Sequence, residues 1–434
     1  MARLERLNRR AVAALVAALT LAGSGAAYAQ WEAPRPRQET VHCRHWRRCP
    51  PSTTTTVPVS STTSTSTSTS TTTTSTTVPP TTTTTTQPSG GCVGVPLTNG
   101  TTTINAHPAG TTFCMTGVHD WTLDPKSGDT IIGGILDGSD GVNHFAIIPN
   151  QGGINVTIQN VEVRNYNKLT DQQGAIISGS GWVFKNVISH DNGTAGATLT
   201  AGGYGLGLDG NAPQVIGGHF YNNRQLGIGG DAPGAVIDGA EVDHNNFTDD
   251  TYTKENISCN YEGGGMKFVA DNMVIKNSYI HDNACRGIWF DINSHNTTIT
   301  NNRVTNSFDE GIFMEISSGG TISGNTTTGN GFQTYSGVCK DWLWDGGITL
   351  ADSDGFTVSN NTVSDNCNGI TGAQQDRPDG HPGLLENDTF TGNTVSGSGR
   401  SGVVEDNGAN LTTRNIVFSN NTFLNGQVFC GFTC

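Results

Sequence analysis

The chain has 434 residues, 57 of them glycine, and carries 23 basic against 37 acidic side chains, a formal charge of −14. Only nine of the basic residues and three of the acidic ones precede residue 92, so the remainder holds 14 basic and 34 acidic side chains, about −20. A surface of that sign excludes nucleic acid and anionic lipid as partners, and it repels polyanionic sugars unless a cation intervenes.

Taken in chain order, residues 1–29 read as a signal peptide. They comprise a basic start ending in Arg9-Arg10, an apolar run from Ala11 to Gly23, and a small-residue cleavage site at Ala27-Tyr28-Ala29. No later apolar run is long enough to span a bilayer, so no membrane contact is expected and the product should be secreted, extracellular or cell-wall associated. Residues 30–50 form a short basic segment holding Cys43 and Cys49. Residues 51–91 are almost entirely Thr, Ser, Pro and Val; with nothing to bury, they should be a disordered linker. This N-terminal region is a possible means of attachment to a cell wall. Residues 92–434 carry the folded domain.

That domain repeats itself. Gly265-Met-Lys-Phe, Gly287-Ile-Trp-Phe, Gly311-Ile-Phe-Met, Gly347-Ile-Thr-Leu and Gly369-Ile-Thr-Gly open successive units. Within each, apolar residues alternate at strand period: Leu206 and Leu208, Met266 and Phe268, Ile288 and Phe290, Ile312 and Met314, Ile348 and Leu350. A second strand follows, with Asn302, Asn325, Asn361, Asn393 and Asn421 each three residues after an apolar anchor, and then a third centred on residues such as Val304. Asn suits the left-handed backbone of a tight turn, and stacked amides can form a ladder. So short a unit cannot bury its apolar face alone; its neighbours must stack on it. The fold class is therefore all-β: a parallel β-helix of three short strands per coil.

These Gly-Ile strands, Asn turns and Val/Ile third strands resemble the right-handed parallel β-helix proteins of the pectate-lyase-like superfamily. Pro108–Cys114 and Pro125–Gly133 look like the first coils of bacterial members. The likeness covers roughly residues 92–434 and bears on fold more than on chemistry, because one solenoid hosts many activities.

Ten cysteines in an exported chain imply disulfides. Repeat register suggests Cys43–Cys49, Cys92–Cys114, Cys259–Cys285, Cys339–Cys367 and Cys430–Cys434. A zinc site is disfavoured, since there is no paired CxxC and no nearby set of histidine partners. His190 and His281, both in His-Asp-Asn, read as turn residues.

The repeat is interrupted by insertions at Phe247–Tyr261, Gly331–Trp344 and Gln374–Glu386, and insertions in solenoids gather on the working face. They bring Trp342, Trp344, Arg377 and His381 towards the outer face of the first strand as substrate-binding candidates. Outward positions two residues after each glycine are Gly207, Gly229, Lys267, Trp289, Phe313 and Thr349. Four residues after stand Asp209, Asp231, Val269, Asp291, Glu315 and Ala351. On neighbouring coils about 4.8 Å apart, Asp291 and Glu315 should repel, leaving one with an unusually high pKa suited to general acid catalysis. Trp289 and Phe313 beside them suggest a sugar platform open to solvent.

Three readings follow. The first is a glycoside hydrolase acting on a polysaccharide, needing no cofactor, with Asp291 and Glu315 as its carboxylates. The second is a polysaccharide lyase with Lys267 as base and Ca²⁺ held by Asp209 and Asp231; calcium-assisted lyases with such a lysine are known in the resembled superfamily. The third is a non-catalytic wall- or carbohydrate-binding protein. Within that third reading, no regular outward threonine array is expected.

Overall fold

The computed structural model describes residues 91–194, 202–247, 262–332, 344–375, 384–406, 415–424 and 428–430. The signal peptide, basic segment and spacer expected before residue 91 lie outside the described residues. So do Trp342, Arg377, His381 and the cysteines at 43, 49, 259, 339 and 434.

Among the described residues, three sheets of thirteen, twelve and ten strands are each built by strands from successive coils. All of their strand pairs are parallel; one coil shows why. Gly264–Phe268, Val274–Lys276 and Tyr279–His281 pair with Arg286–Phe290, His295–Thr300 and Arg303–Thr305 of the next coil. Met266 thus lies opposite Ile288, Ile275 opposite Ile299 and Ile280 opposite Val304. These residues, with the alternating positions read from sequence, are fully buried in one continuous apolar column. At the N-terminal end a short helix, Gly100–Asn105, adds the buried Ile104 to that column. The Cys92–Cys114 disulfide joins the segment before the first strand, Val95–Pro96, to the last residue of the second, Thr112–Cys114. Cys285 and Cys367 are also disulfide-bonded.

The repeated glycine is required by close approach. A Cβ at Gly287 would sit 2.5 Å from the Gly311 carbonyl oxygen, and one at Gly265 would sit 2.7 Å from that of Gly287. The coils pass too tightly there for a side chain.

The turn asparagines divide their labour differently from the sequence reading. The left-handed residue is the one before each ladder asparagine: Asn301, Gly324, Asn360, Gly392 and Asn420 all have positive φ. The following Asn302, Asn325, Asn361, Asn393 and Asn421 form the ladder. Each Nδ2 of the first four donates to the next Oδ1 at 2.9–3.0 Å. A second ladder, missed in sequence, turns the chain from the twelve-stranded into the ten-stranded sheet. Asn192, Asn223, Asn245 and Asn283 hydrogen-bond in series, and Asn330 and Asn366 continue the column.

The structure also corrects the expected absence of a threonine array. Thr298, Thr321, Thr357 and Thr389 stand in register on one outer face, beside Thr300, Ser323, Ser359, Thr391 and Ser419. Thr326, Thr362, Thr394 and Thr422 form a similar row on the next face. Coils of unequal length hide these rows in the linear sequence.

One buried group sets a pH dependence. Asp388 is fully buried; its Oδ1 accepts the Phe356 N–H at 2.8 Å, while Oδ2 has no hydrogen-bond partner. Burial, reinforced by Asp354 and Glu386 and opposed by the Phe356 N–H, pushes its carboxyl up to about 8. Between about pH 4 and pH 8 the folded state therefore binds more protons at this site than the unfolded state. Stability should fall as pH rises through that window, by up to about 1.4 kcal/mol per pH unit. Denaturation of Asp388→Asn across pH 4–8 should show a clearly flatter curve; an unchanged slope would refute the assignment.

Candidate functional site

The ten-stranded sheet forms the floor of the site. Along Arg286–Phe290, Ile288 and Phe290 face the core, while Arg286 and Trp289 share the outer face. The glycine between them causes this spacing. A Cβ at Gly346, equivalent to Arg286, would lie 2.6 Å from Thr349 Oγ1 and 2.9 Å from Thr371 Oγ1, both outward groups. At Arg286 and Gly346 the residue before the glycine thus joins the outer column found two residues after it, a relation that the sequence reading overlooked.

The expected residues come together, but not as an open pair of carboxylates. Lys267 Nζ lies 2.8 Å from Asp291 Oδ2 and 3.1 Å from Glu262 Oε1. It also sits 3.8 Å above the Trp289 ring, and the Trp289 indole N–H donates to Glu315 Oε2 at 3.1 Å. Asp291 thus balances a cation and Glu315 holds an aromatic ring. Nor is the floor open to solvent: Lys267 and Asp291 are 6% exposed, Trp289 7% and Phe313 1%. Trp289, Phe313 and Trp344 pack into one aromatic row, with centroids 6.1 and 6.2 Å apart. Gln172 extends the Lys267 network by donating to Glu262 Oε2 at 2.7 Å.

A different group holds the concentrated negative charge. Asp309, Glu310 and Asp345 each place a carboxylate oxygen within 4.8 Å of the others, and all three are buried. Arg286 reaches both members of the adjacent pair: Nε is 3.2 Å from Glu310 Oε2 and Nη2 is 3.7 Å from Asp309 Oδ2. Its guanidinium carbon lies 4.5 Å over Trp289 and 5.1 Å over Phe313. Burial raises the Glu310 carboxyl and Asp309 adds to the rise; Arg286 partly offsets them, leaving it at about 7. For Arg286, burial works against the charge, but Asp309, Glu310, Glu315 and Asp345 outweigh it and hold the group protonated. The high-pKa carboxyl expected of this face is Glu310.

Asp209 and Asp231 follow paired floor residues, Leu208 and Gly230, one coil apart. Burial, and then the Asp209 charge, raise the Asp231 carboxyl. Among the described residues these two belong to no group of three metal-ligating side chains. Trp342, Arg377 and His381 lie outside the described residues, as do segments 248–261 and 333–343, which lead into Glu262 and Trp344.

No curated protein matches the chain. Among solved structures it is similar to a Dettilon tailspike protein, at 13% identity and TM-score 0.37, covering 73% of this chain and 62% of that one. It is also similar to the periplasmic alginate epimerase AlgG, at 12% identity and TM-score 0.44, covering 75% and 83% of the two chains. An alginate lyase from Paenibacillus sp. shares 16% identity over 69% of this chain and 98% of its own, at TM-score 0.42. At such identities the likeness concerns the fold alone. The sequence pattern described as "Right handed beta helix region" matches residues 145–312, 235–377 and 292–433, most of the chain. With its parallel sheets and repeated glycine and asparagine positions, the chain belongs to the right-handed β-helix family.

Proposed function

We propose that the protein is a secreted carbohydrate-active enzyme that hydrolyses a polysaccharide, with Glu310 as the proton donor. The observation that carries this reading is Glu310 packed against two other carboxylates and Arg286, beside a row of aromatic rings, where burial and Asp309 raise its carboxyl. A general acid works best when its pKa lies near the working pH, and a second carboxylate is needed to take a proton from water.

In this mechanism the sugar displaces the packing over the buried carboxylates, Glu310 gives its proton to the glycosidic oxygen, and the departing sugar keeps the electrons of the broken C–O bond. Water attacks the anomeric carbon and passes its proton to Asp309 or Asp345. Arg286 offsets the resulting negative charge. Trp344, partly exposed at the end of the aromatic row, offers its ring to the sugar, while Trp289 is stacked by Lys267 and Arg286 and fixed by Glu315 through its indole N–H. The acidic surface favours a neutral polymer over a polyanionic one. Lys267 already serves Asp291 and Glu262, so it acts here as a positioning charge rather than a base.

A polysaccharide panel run with and without Ca²⁺, with product masses determined, tests the proposal. Hydrolysis adds one water to the products and should be insensitive to chelator. Unsaturated products lost on chelation would replace this reading with the Lys267 lyase; binding without any product would leave a binding protein. Activity should decline above about pH 7 as Glu310 loses its proton. A pH–rate profile with no basic limb near 7 would remove Glu310 from the acid role.

A further inference from the structure

The outer face of the twelve-stranded sheet carries a second cluster that this chemistry does not use. Across three coils, His219, Glu241 and Tyr279 lie opposite one another, as do Tyr221, Asp243 and His281. Two carboxylates on the middle strand are thus flanked diagonally by two imidazoles. His219 Nε2 meets Asp243 Oδ1, and His281 Nε2 lies 3.3 Å from Glu241 Oε1. A third imidazole, His244, places Nδ1 2.5 Å from the other Asp243 oxygen.

We propose that His219, Glu241 and Asp243 form a binding site for a divalent transition metal ion of the zinc type. One donor atom from each lies within 4.8 Å of the other two, close enough to share an ion. One imidazole nitrogen with two carboxylates suits zinc and its neighbours; calcium and magnesium prefer all-oxygen shells. Water would complete the shell, since the His219 side chain is 33% exposed while that of Asp243 is 10% exposed.

The surrounding groups are those that orient metal ligands. The His219 ring lies 4.3 Å from Tyr221, His244 fixes Asp243 and His281 fixes Glu241. On binding, the ion takes the place of the direct contact between His219 and Asp243. It would clamp the coil of His219 to that of Glu241 and Asp243. This departs from the expectation of no zinc site, which rested on linear spacing: the stacking of coils, not a CxxC pair or a run of histidines, brings His219 to its carboxylates.

The full-length protein, stripped with chelator, would be titrated with zinc chloride by calorimetry and with cobalt chloride by visible absorption. Wild type should bind one equivalent more than His219→Ala or Asp243→Asn. Zinc should raise its melting temperature, and either variant should lose that rise. Glu310→Gln should retain the equivalent, separating this site from the other acidic cluster. If His219→Ala does not fold, His219→Gln supplies the comparison, since it keeps a polar side chain and removes the imidazole. Equal stoichiometry and identical cobalt spectra in wild type and variant would overturn the proposal, as would the absence of saturable binding in wild type.

Discussion

Glu310→Gln is expected to lower kcat on the polysaccharide by about 10²–10⁴-fold while leaving binding nearly unchanged. The amide keeps the shape of the carboxylic acid and loses the transferable proton. The wild-type fall in rate above about pH 7 should vanish with it, because that limb reports the same group. Glu315→Gln is the informative control. Glu315 accepts the Trp289 indole N–H, and the amide oxygen can still do so, so the loss should be small. A large loss in Glu315→Gln with little change in Glu310→Gln would return the acid to the position first read from sequence. Arg286→Met probes the charge balance. Removing the guanidinium from three buried carboxylates should both destabilise the protein and move the basic limb to higher pH.

Asn361→Ala should be among the most destabilising single changes in the described coils. Its Oδ1 accepts from the Asn325 backbone N–H at 2.8 Å and from Asn325 Nδ2 at 3.0 Å. Its Nδ2 donates to the Ile322 carbonyl and to Asn393 Oδ1, both at 2.9 Å. The residue is 1% exposed, so water cannot replace the lost bonds. Stranding a buried group costs about 1–3 kcal/mol, so two left unsatisfied make roughly 2–6 kcal/mol here. That is a large share of the 5–15 kcal/mol typical of a folded domain. Urea denaturation measures it; a loss below about 1 kcal/mol would show that the ladder is ornamental. Asn360→Gly, at the preceding left-handed residue, should cost little, since glycine takes positive φ freely.

The architecture was legible because one physical requirement recurs in every coil. Apolar residues at period two and a glycine where backbones nearly touch mark the strands whatever the loops do between them. The second ladder follows the same rule as the first, an asparagine three residues after a buried anchor: Phe220 precedes Asn223, and Ile280 precedes Asn283. Mixed neighbours such as His190-Asp191-Asn192 drew attention to the histidine instead.

The site was less legible for two reasons. Strict alternation from each glycine put Lys267, Trp289 and Asp291 on the outer face, but it left out Arg286 and Glu310. The tight step at the glycine returns the preceding residue to that same face. Solvent exposure was the second gap. An outward position need not be a wet one, and the density of packing above Phe313 is a tertiary property absent from any single repeat.

The paired amide columns bear on how such a chain can change in length. Each rung hands its hydrogen bonds to an identical rung, so a complete turn can be added or removed and the two cut ends still match. A partial turn would set an apolar anchor against an amide. Growth or shrinkage of the stacked body is thereby quantised, while the connecting segments are free to vary by any number of residues.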